Sequence, residues 1–100
     1  MTRDRSDISA GIVGLGNIGQ YHAERLIEHG VTLVGGMDVA ADARMRFARR
    51  YDVDVYDDHH DLYETVDAVI ITTPNKYHEA YAVEAFERDL HVLLEKPLAN

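Results

Sequence analysis

Cysteine is absent from the 100 residues, and this excludes both a disulfide framework and a thiolate metal site. Folding therefore needs no oxidising compartment, and we expect a cytoplasmic protein. No apolar run approaches the roughly 20 residues that a membrane-spanning helix needs. The first seven residues carry mixed charge and lead into no apolar segment of signal-peptide type. We interpret residues 1–7 as a polar lead-in and residues 8–100 as one small domain.

Lysine is nearly absent, since only Lys76 and Lys96 are present, whereas Asp and Glu together number 18. The formal net charge is −8. Nucleic acids and anionic membrane surfaces are bound by basic faces, so this balance argues against both as partners. Apolar residues form 46% of the chain, which is enough for a packed core and excludes a disordered segment.

The most informative stretch is an apolar run over residues 8–13 that ends in the sequence GLGNIG at residues 14–19. This G-x-G-x-x-G spacing is typical of a strand, a tight turn and a helix start that bind a dinucleotide. Gly14 lets the chain turn, Gly16 lets a pyrophosphate approach the main chain, and Gly19 lets the helix pack closely on the strand. The N–H groups of the helix start, at Asn17 and Ile18, face the phosphates. A glycine turn with a purely structural role is the alternative.

Apolar patterning divides the chain into alternating strands and helices with short links. We predict strands over residues 8–13, 31–37, 53–56, 68–72 and 91–94, and helices over residues 18–28, 41–51 and 76–88. We expect Asn17 to cap the first helix and Gly30 to end it in the left-handed conformation. The acidic residues 57–64 are predicted to be loop-like, with room for one helical turn around Leu62.

Each predicted helix carries apolar residues at a spacing that suggests a buried face. These residues are Ile18, Ala23, Leu26 and Ile27 in the first helix, Ala41, Met45 and Ala48 in the second, and Tyr77, Ala80, Tyr81, Val83, Ala85 and Phe86 in the third.

The alternation implies an α/β fold, a Rossmann-type doubly wound parallel sheet with helices on both faces. We expect strand order 3-2-1-4-5, with the short third strand at an edge and the apolar fourth strand covered on both faces. Ligand is then expected in the crevice beyond the carboxyl ends of strands one and four.

Asp38 closes the second strand, nineteen residues after Gly19. A carboxylate at this position accepts hydrogen bonds from the adenosine ribose and repels a 2′-phosphate, so the sequence favours NAD over NADP. Arg44 is the nearby cation that would soften this preference. The alternative is an Asp that only caps the second helix.

Polar residues also follow the fourth strand, beside the expected crevice. Thr72, Thr73, Pro74 and Asn75 are candidates for contact with the cofactor, and His78 opens the next helix nearby. The alternative is a plain turn, in which Pro74 only stops the strand.

Glu95 and Lys96 end the fifth strand. A carboxylate and an ammonium at the mouth of a crevice are costly to desolvate unless they are paired or used. Lys96 can donate to a substrate hydroxyl or to the nicotinamide edge. A surface ion pair of little energetic value is the alternative.

His59 and His60 lie among Asp57, Asp58 and Asp61, a composition that can suggest a metal site. Adjacent residues rarely point at one ion, and no second, spaced ligand pair is visible in the sequence. We therefore expect a solvated loop and no metal. No Ser-His-Asp or Cys-His arrangement is supported either.

These motifs together resemble the Gfo/Idh/MocA family, the glucose–fructose oxidoreductase and inositol 2-dehydrogenase-like enzymes. The resemblance rests on the glycine motif with His22 after it, Asp38, Thr73-Pro74-Asn75 with His78, and Glu95-Lys96-Pro97, and it spans residues 8–100. It implies a nicotinamide-dependent dehydrogenase or reductase acting on a sugar, a polyol or a related hydroxyl or carbonyl compound. It also implies that Lys96 contacts the nicotinamide and substrate and assists catalysis, with Glu95 by the cofactor.

Members of that family carry a second, C-terminal α/β domain that binds substrate, and this sequence ends just after the E-K-P motif. The resemblance therefore implies a nucleotide-binding domain that is incomplete at its C-terminal end and inactive alone. A homo-oligomer that covers an exposed sheet edge is a further expectation. A non-catalytic NAD-sensing module is the main alternative, and an S-adenosylmethionine-binding domain is a third.

Overall fold

The computed structural model describes residues 7–73 and 75–94, with Asn75 described by its backbone only. Within this part of the chain, five parallel strands form one sheet in the order β3-β2-β1-β4-β5. The predicted fold class and strand order are therefore confirmed. The elements are β1 (Ser9–Val13), α1 (Asn17–Glu28), β2 (Thr32–Met37), α2 (Ala41–Tyr51), β3 (Asp54–Tyr56), α3 (His59–Tyr63), β4 (Ala68–Ile71), α4 (Asn75–Glu87) and β5 (His91–Leu94).

Two hydrophobic clusters, one on each face of the sheet, hold the helices in place. On one face, Ile12 and Ile70 pack with Leu15 and with Phe47 of α2. On the other face, Val13, Val69 and Ile71 pack with residues of α3 and α4. Neighbouring residues of β1 and β4 therefore point to opposite faces, and both faces are covered. This is why the central strands read as continuous apolar runs rather than as an alternating pattern.

The glycine turn changes how α1 begins. Gly16, with extended backbone, occupies the N-cap position, no side chain caps the helix, and Asn17 is already helical. The prediction that Asn17 caps α1 is therefore wrong, because the turn delivers the chain into the helix one residue earlier than predicted, with Asn17 as the first helical residue. Gly30 does adopt the left-handed conformation after the helix, with φ +79°.

The predicted apolar face of α1 is only partly correct. Ala23 is fully buried, whereas Ile18 and Ile27 are 39% and 51% exposed. Small residues, Gly19 and Ala23, face the sheet because the helix lies close to it. The larger side chains at the helix flanks are left facing outward.

The predicted apolar face of α2 is wrong. Ala43 and Phe47, four residues apart, are its buried residues, and Met45 is 54% exposed. Ala41, Met45 and Ala48 also lie at helical spacing, but their side chains together provide little apolar area to bury. The single aromatic ring of Phe47 decides which face turns inward.

Within residues 57–64 the five-residue helix α3 forms, so the helical turn allowed around Leu62 is confirmed, and less of this stretch is loop than predicted. The Asp58 carboxylate accepts a hydrogen bond from the His60 N–H at 2.8 Å and so caps the helix. Leu62 and Tyr63 are buried and anchor it to the sheet. In α4 the buried residues are Ala82 and Ala85, whereas Tyr77, Val83 and Phe86, predicted as apolar packing material, are about half exposed or more.

Two helix ends place aspartate where glycine is usual. Asp52, which follows α2, has φ 53°, and Asp89, which follows α4, has φ 60°. The Asp52 N–H donates to the Ala48 carbonyl at 2.9 Å, and the Asp89 N–H donates to the Phe86 carbonyl at 3.0 Å. Both residues therefore close their helices in the left-handed conformation.

Candidate functional site

The turn after β1 is held by its neighbours on both sides. The Gly14 N–H donates to the Met37 carbonyl at 2.8 Å, which ties the turn to the end of β2. On the other side the Thr72 hydroxyl lies 3.2 Å from the Val13 carbonyl and 3.0 Å from the Gly14 carbonyl, and it can donate to either. The carboxyl ends of β1, β2 and β4 are thus fixed relative to one another.

Two glycines are required by the shape of this turn. Gly14 has φ +100°, and a Cβ added there would lie 2.4 Å from the Thr72 hydroxyl oxygen. A Cβ on Gly19 would lie 2.0 Å from the Gly14 carbonyl oxygen, inside the backbone of the turn. Side chains at either position would push α1 away from β1.

Gly16 differs, because no atom of the described residues explains its lack of a side chain. It is exposed, and a Cβ built there would have nothing within 4 Å. Its backbone is extended with φ −78°, a conformation that any residue adopts. The space left open over Gly16 lies at the start of a twelve-residue helix, where N–H groups are free to bind an anion.

Asp38 is bound to the turn and to the start of α2 at the same time. Its Oδ2 accepts from the Leu15 N–H at 2.8 Å, and its Oδ1 accepts from the Ala40 N–H at 2.8 Å. Arg44 reaches back from α2, and its guanidinium donates to the Asp38 carbonyl at 2.8 Å and the Val39 carbonyl at 3.2 Å. A carboxylate oxygen accepts more than one hydrogen bond, so Asp38 keeps capacity for a ligand.

A cleft of about 700 Å³ opens at this edge of the sheet, between the turn, the end of β2 and α4. Its volume is in the range of cofactor and small-molecule sites. The residues that line it are Gly14, Gly16, Asn17, Ile18, Gly19, Met37, Asp38, Val39, Thr72, Thr73, Tyr77 and Tyr81. It therefore lies at the predicted switch point, between β1 and β4.

The fold brings most of the sequence-predicted site residues to this cleft. Those at the glycine turn, at Asp38 and at Thr72 and Thr73 all line it. Asn75 is the first residue of α4. His78 is partly buried in α4 and is not among the residues that line the cleft. Pro74, Glu95 and Lys96 lie outside the described residues.

The Thr73 hydroxyl supports a fit between this cleft and a polar ligand. Its oxygen is buried and has no hydrogen-bond partner among the described residues, although Thr73 lines the cleft. Buried hydroxyls are normally paired, so an orphaned one beside a cavity indicates a missing partner. The orphaned hydroxyl, the open space over Gly16 and the available Asp38 carboxylate match the hydroxyls and phosphates of a dinucleotide.

Sequence reasoning missed the apolar wall of the cleft. Tyr77 and Tyr81 of α4 line it, with ring centroids 6.5 Å apart, and Val39, 77% exposed, lines the cleft beyond β2. Tyr77 and Tyr81 are four residues apart, so their spacing signals one helix face. That face was predicted to pack in the core, and Tyr81 does pack partly against the core cluster beside α3.

Burial raises the pKa of Tyr81, and the neighbouring Tyr77 and Asp38 add to the rise. Burial also raises the pKa of Tyr63 well above its usual value. The Tyr63 hydroxyl donates to the Tyr81 carbonyl at 2.9 Å, so α3 supports the helix that carries the cleft wall. Both phenols are therefore neutral hydrogen-bonding groups at physiological pH.

Among the described residues, no helix has the length and apolar character needed to cross a membrane.

The sequence model of a protein family, GFO_IDH_MocA, described as an oxidoreductase family with an NAD-binding Rossmann fold, matches residues 8–100.

Relatives and solved structures agree with this match. The inositol 2-dehydrogenase of Salmonella paratyphi B is 39% identical over 92% of this chain and 29% of its own length. That of Rubrobacter xylanophilus is 35% identical over the whole chain and 30% of its own length. The crystal structure of the WlbA dehydrogenase from Chromobacterium violaceum, in complex with NADH and UDP-GlcNAcA, superposes with a TM-score of 0.86. It is 29% identical, over 98% of this chain and 29% of the other.

The myo-inositol 2-dehydrogenase structure from Lactobacillus plantarum gives a TM-score of 0.82 at 28% identity, over 90% of this chain and 28% of the other. The chain thus spans under a third of the length of the relatives and structures that it matches.

Proposed function

Because the chain belongs to the Gfo/Idh/MocA oxidoreductase family, as an NAD-binding Rossmann domain, we propose that it is the cofactor-binding part of a longer dehydrogenase. The dinucleotide lies across the glycine turn, with its phosphates over Gly16 and its adenosine ribose at Asp38. When bound, the nicotinamide supplies hydride transfer, and the residues of this chain bind and orient it. The substrate is bound by the remainder of the longer protein, and this chain alone does not catalyse turnover of a substrate.

The observation that carries the proposal is the open cradle at the start of α1. Gly14 and Gly19 are required by contacts within the protein, but the missing side chain of Gly16 leaves space that no atom of the described part of the chain fills. A pyrophosphate accounts for that space, because its oxygens must approach the main-chain N–H groups closely.

Three features support NAD over NADP. The Asp38 carboxylate lies in the cleft wall, where it favours ribose hydroxyls and repels a 2′-phosphate. Arg44 is close, but its guanidinium is engaged by the Asp38 and Val39 carbonyls, so it is poorly placed to neutralise such a phosphate. Among solved neighbours, GenD2 from gentamicin A biosynthesis is in complex with NAD, which agrees with this preference.

Substrate class and catalysis are proposed from the relatives and from the resemblance. The relatives are named for inositol, and a neighbouring structure is a UDP-N-acetylglucosamine 3-dehydrogenase, so we propose a sugar, polyol or related hydroxyl or carbonyl compound. Lys96 is proposed to contact the nicotinamide and substrate, and Glu95, Pro74, Asn75 and His78 to lie by the cofactor. Acidic composition supports the absence of nucleic acid and anionic membranes as partners, and the lack of cysteine suits a cytoplasmic protein.

Calorimetric titration of the chain with NAD⁺, NADH and NADP⁺ tests the cofactor proposal. We expect NAD⁺ to bind more tightly than NADP⁺, and Asp38→Asn to shift the ratio of the two dissociation constants toward NADP⁺ by about tenfold, or about 1.4 kcal/mol. Asp57→Asn removes an equal charge outside the cleft and should leave the ratio unchanged. A folded chain that binds neither cofactor, or prefers NADP⁺, contradicts the proposal.

Catalysis by Lys96 requires the longer protein that contains this chain. Lys96→Ala should reduce turnover far more than it weakens NAD⁺ binding. Equal losses of turnover and binding would instead favour a sensing module without chemistry.

A further inference from the structure

A second polar cluster joins α3 to α4, and we call it the histidine-pair cluster: Asp58, His59, His60 and Glu84. Glu84 Oε2 lies 3.1 Å from His59 Nε2 and 2.7 Å from His60 Nε2. At the other end of the rings, Asp58 Oδ1 lies 2.7 Å from His60 Nδ1 and 3.8 Å from His59 Nδ1. Each imidazole is therefore located between two carboxylates.

The fold supplies the spaced ligand that the sequence analysis did not find. Glu84 is 24 residues beyond His60 and comes from α4, so no local pattern reveals it. The prediction of a solvated loop rested on the absence of such a partner. In the structure the His59 side chain is only 19% exposed, whereas the His60 side chain is 48% exposed.

Packing holds the two imidazoles in position. The His59 ring packs edge-on against the rings of Tyr63 and Tyr81, with centroids 5.2 Å and 4.9 Å away. The His60 ring lies 4.1 Å from the His59 ring, and the backbone N–H of His60 donates to the capping carboxylate of Asp58. Little side-chain freedom is left to lose when a ligand binds, which favours binding.

The atoms at the centre satisfy one another only in part, since His60 Nε2 lies at hydrogen-bond distance, 3.0 Å, from Glu84 Oε1. Glu84 Oε2 is buried and has no hydrogen-bond partner within residues 7–73 and 75–94, although both Nε2 atoms lie within 3.1 Å of it. Nitrogen and oxygen ligands lie about 2.0–2.2 Å from zinc, so donor atoms about 3 Å apart can share one ion. In the tautomer that carries its proton on Nδ1, His60 donates to Asp58 Oδ1, 2.7 Å away, and its Nε2 lone pair can bind a metal.

We propose that the histidine-pair cluster binds one divalent transition-metal cation of the zinc class. His59 Nε2, His60 Nε2 and the Glu84 carboxylate are the ligands, and Asp58 orients the His60 ring. Two imidazoles and a carboxylate are a donor set that zinc accepts, whereas magnesium and calcium prefer oxygen alone. Arg88, whose Nε is 3.8 Å from Glu84 Oε2, is the cation that competes for Glu84.

Binding at this cluster would link α3 to α4 directly behind the cleft wall, because Tyr81 contacts both His59 and the cleft. The site is nevertheless separate from the dinucleotide turn. Its test therefore needs no cofactor, and it can fail while the cofactor proposal holds.

The experiment titrates the chain with Zn²⁺ by calorimetry and with Co²⁺ by visible absorption, in each case without cofactor. We expect one ion per chain and a Co²⁺ spectrum of a nitrogen- and oxygen-ligated site. Glu84→Gln, which keeps the side-chain shape, should weaken Zn²⁺ binding at least tenfold. His60→Ala should do the same, and His91→Ala, which removes a histidine of β5, should not.

Circular dichroism establishes whether each variant is folded. If His60→Ala fails to fold, the conservative Glu84→Gln variant still decides the test. The proposal is overturned if the folded parent chain binds no ion at about 1 mM Zn²⁺, near the weak limit of specific affinity. Unchanged affinity in both variants would overturn it equally.

Discussion

Asp38 and Leu15, 23 positions apart in sequence, are joined by a hydrogen bond in which the Leu15 N–H donates to Asp38 Oδ2 at 2.8 Å. The other oxygen of the same carboxylate holds the start of α2 through the Ala40 N–H. The residue proposed to select the cofactor is therefore also a support of the glycine turn.

Asp38→Ala should lower the free energy of unfolding even without a ligand. Two backbone N–H groups lose a charged acceptor, and hydrogen bonds to charged groups contribute about 1.5–3 kcal/mol each in favourable cases. Because Asp38 is partly exposed and water replaces part of this loss, we expect about 1–2 kcal/mol in total, measured by urea denaturation. Asp57→Ala, at an exposed position, should change stability by less than about 0.5 kcal/mol. Equal effects of the two substitutions would contradict the structural role of Asp38.

Alanine substitutions at two glycines of the turn should distinguish an effect on folding from an effect on cofactor binding. Gly19→Ala places a Cβ against the Gly14 carbonyl, so it should destabilise the fold strongly and abolish NAD⁺ binding with it. Gly16→Ala meets no protein atom, so its stability should match the parent within about 0.5 kcal/mol, while NAD⁺ affinity falls at least tenfold. Thermal unfolding and calorimetric titration measure the two effects. A Gly16→Ala chain that binds NAD⁺ normally would show that the phosphates lie elsewhere.

Phe47 should be the most sensitive residue of α2. Its side chain is fully buried among Ile12, Leu15 and Ile70, so Phe47→Ala should lower stability by about 3–5 kcal/mol. Met45→Ala, two residues earlier and 54% exposed, serves as the matched control and should lower stability by less than about 1 kcal/mol. Urea denaturation of both variants measures the difference, and a reversed order would contradict the burial of this helix face.

Tyr63 should make the protein sensitive to alkali. Burial raises its pKa in the folded state, so the folded chain keeps the phenol protonated while the unfolded chain releases the proton above about pH 10. The stabilisation is complete below that pH and declines as pH rises further, because the unfolded state then binds fewer protons.

Tyr63→Phe tests this sensitivity. The variant loses the hydrogen bond to the Tyr81 carbonyl, which should lower its free energy of unfolding by about 1 kcal/mol. Between pH 9 and pH 11, however, its free energy of unfolding should decline less than that of the parent. Unfolding curves across this range measure the slope. Equal slopes of the free energy of unfolding against pH in the two proteins would show that the pKa of Tyr63 does not change on folding.

The strand order and the place of the cleft could be predicted because they depend on local signals. A glycine turn after an apolar run, an Asp after the next strand and short links between elements are sufficient for a doubly wound sheet. The backbone of the cleft follows from the same signals, since Gly14, Asp38 and Thr72 each come directly after the last residue of a strand.

What the sequence did not reveal depends on long-range packing. The inward face of α2 was decided by one ring, Phe47, rather than by the spacing of its smaller residues. Tyr77 lines the cleft, and Tyr81 lines it while also packing against the core, because the fully buried residues described in α4 are Ala82 and Ala85. The partner of the two histidines, Glu84, is brought near only when α3 and α4 pack on the same face of the sheet.

The left-handed residues that close α2 and α4 mark where this protein can be made more heat-tolerant. Asp52 and Asp89 hold conformations that are unfavourable by about 1 kcal/mol for residues other than glycine, although Asp and Asn tolerate them best. Neither residue lines the cleft. Engineering a longer-lived protein could therefore begin at these two helix ends, with glycine or asparagine, and leave the chemistry of the cleft untouched.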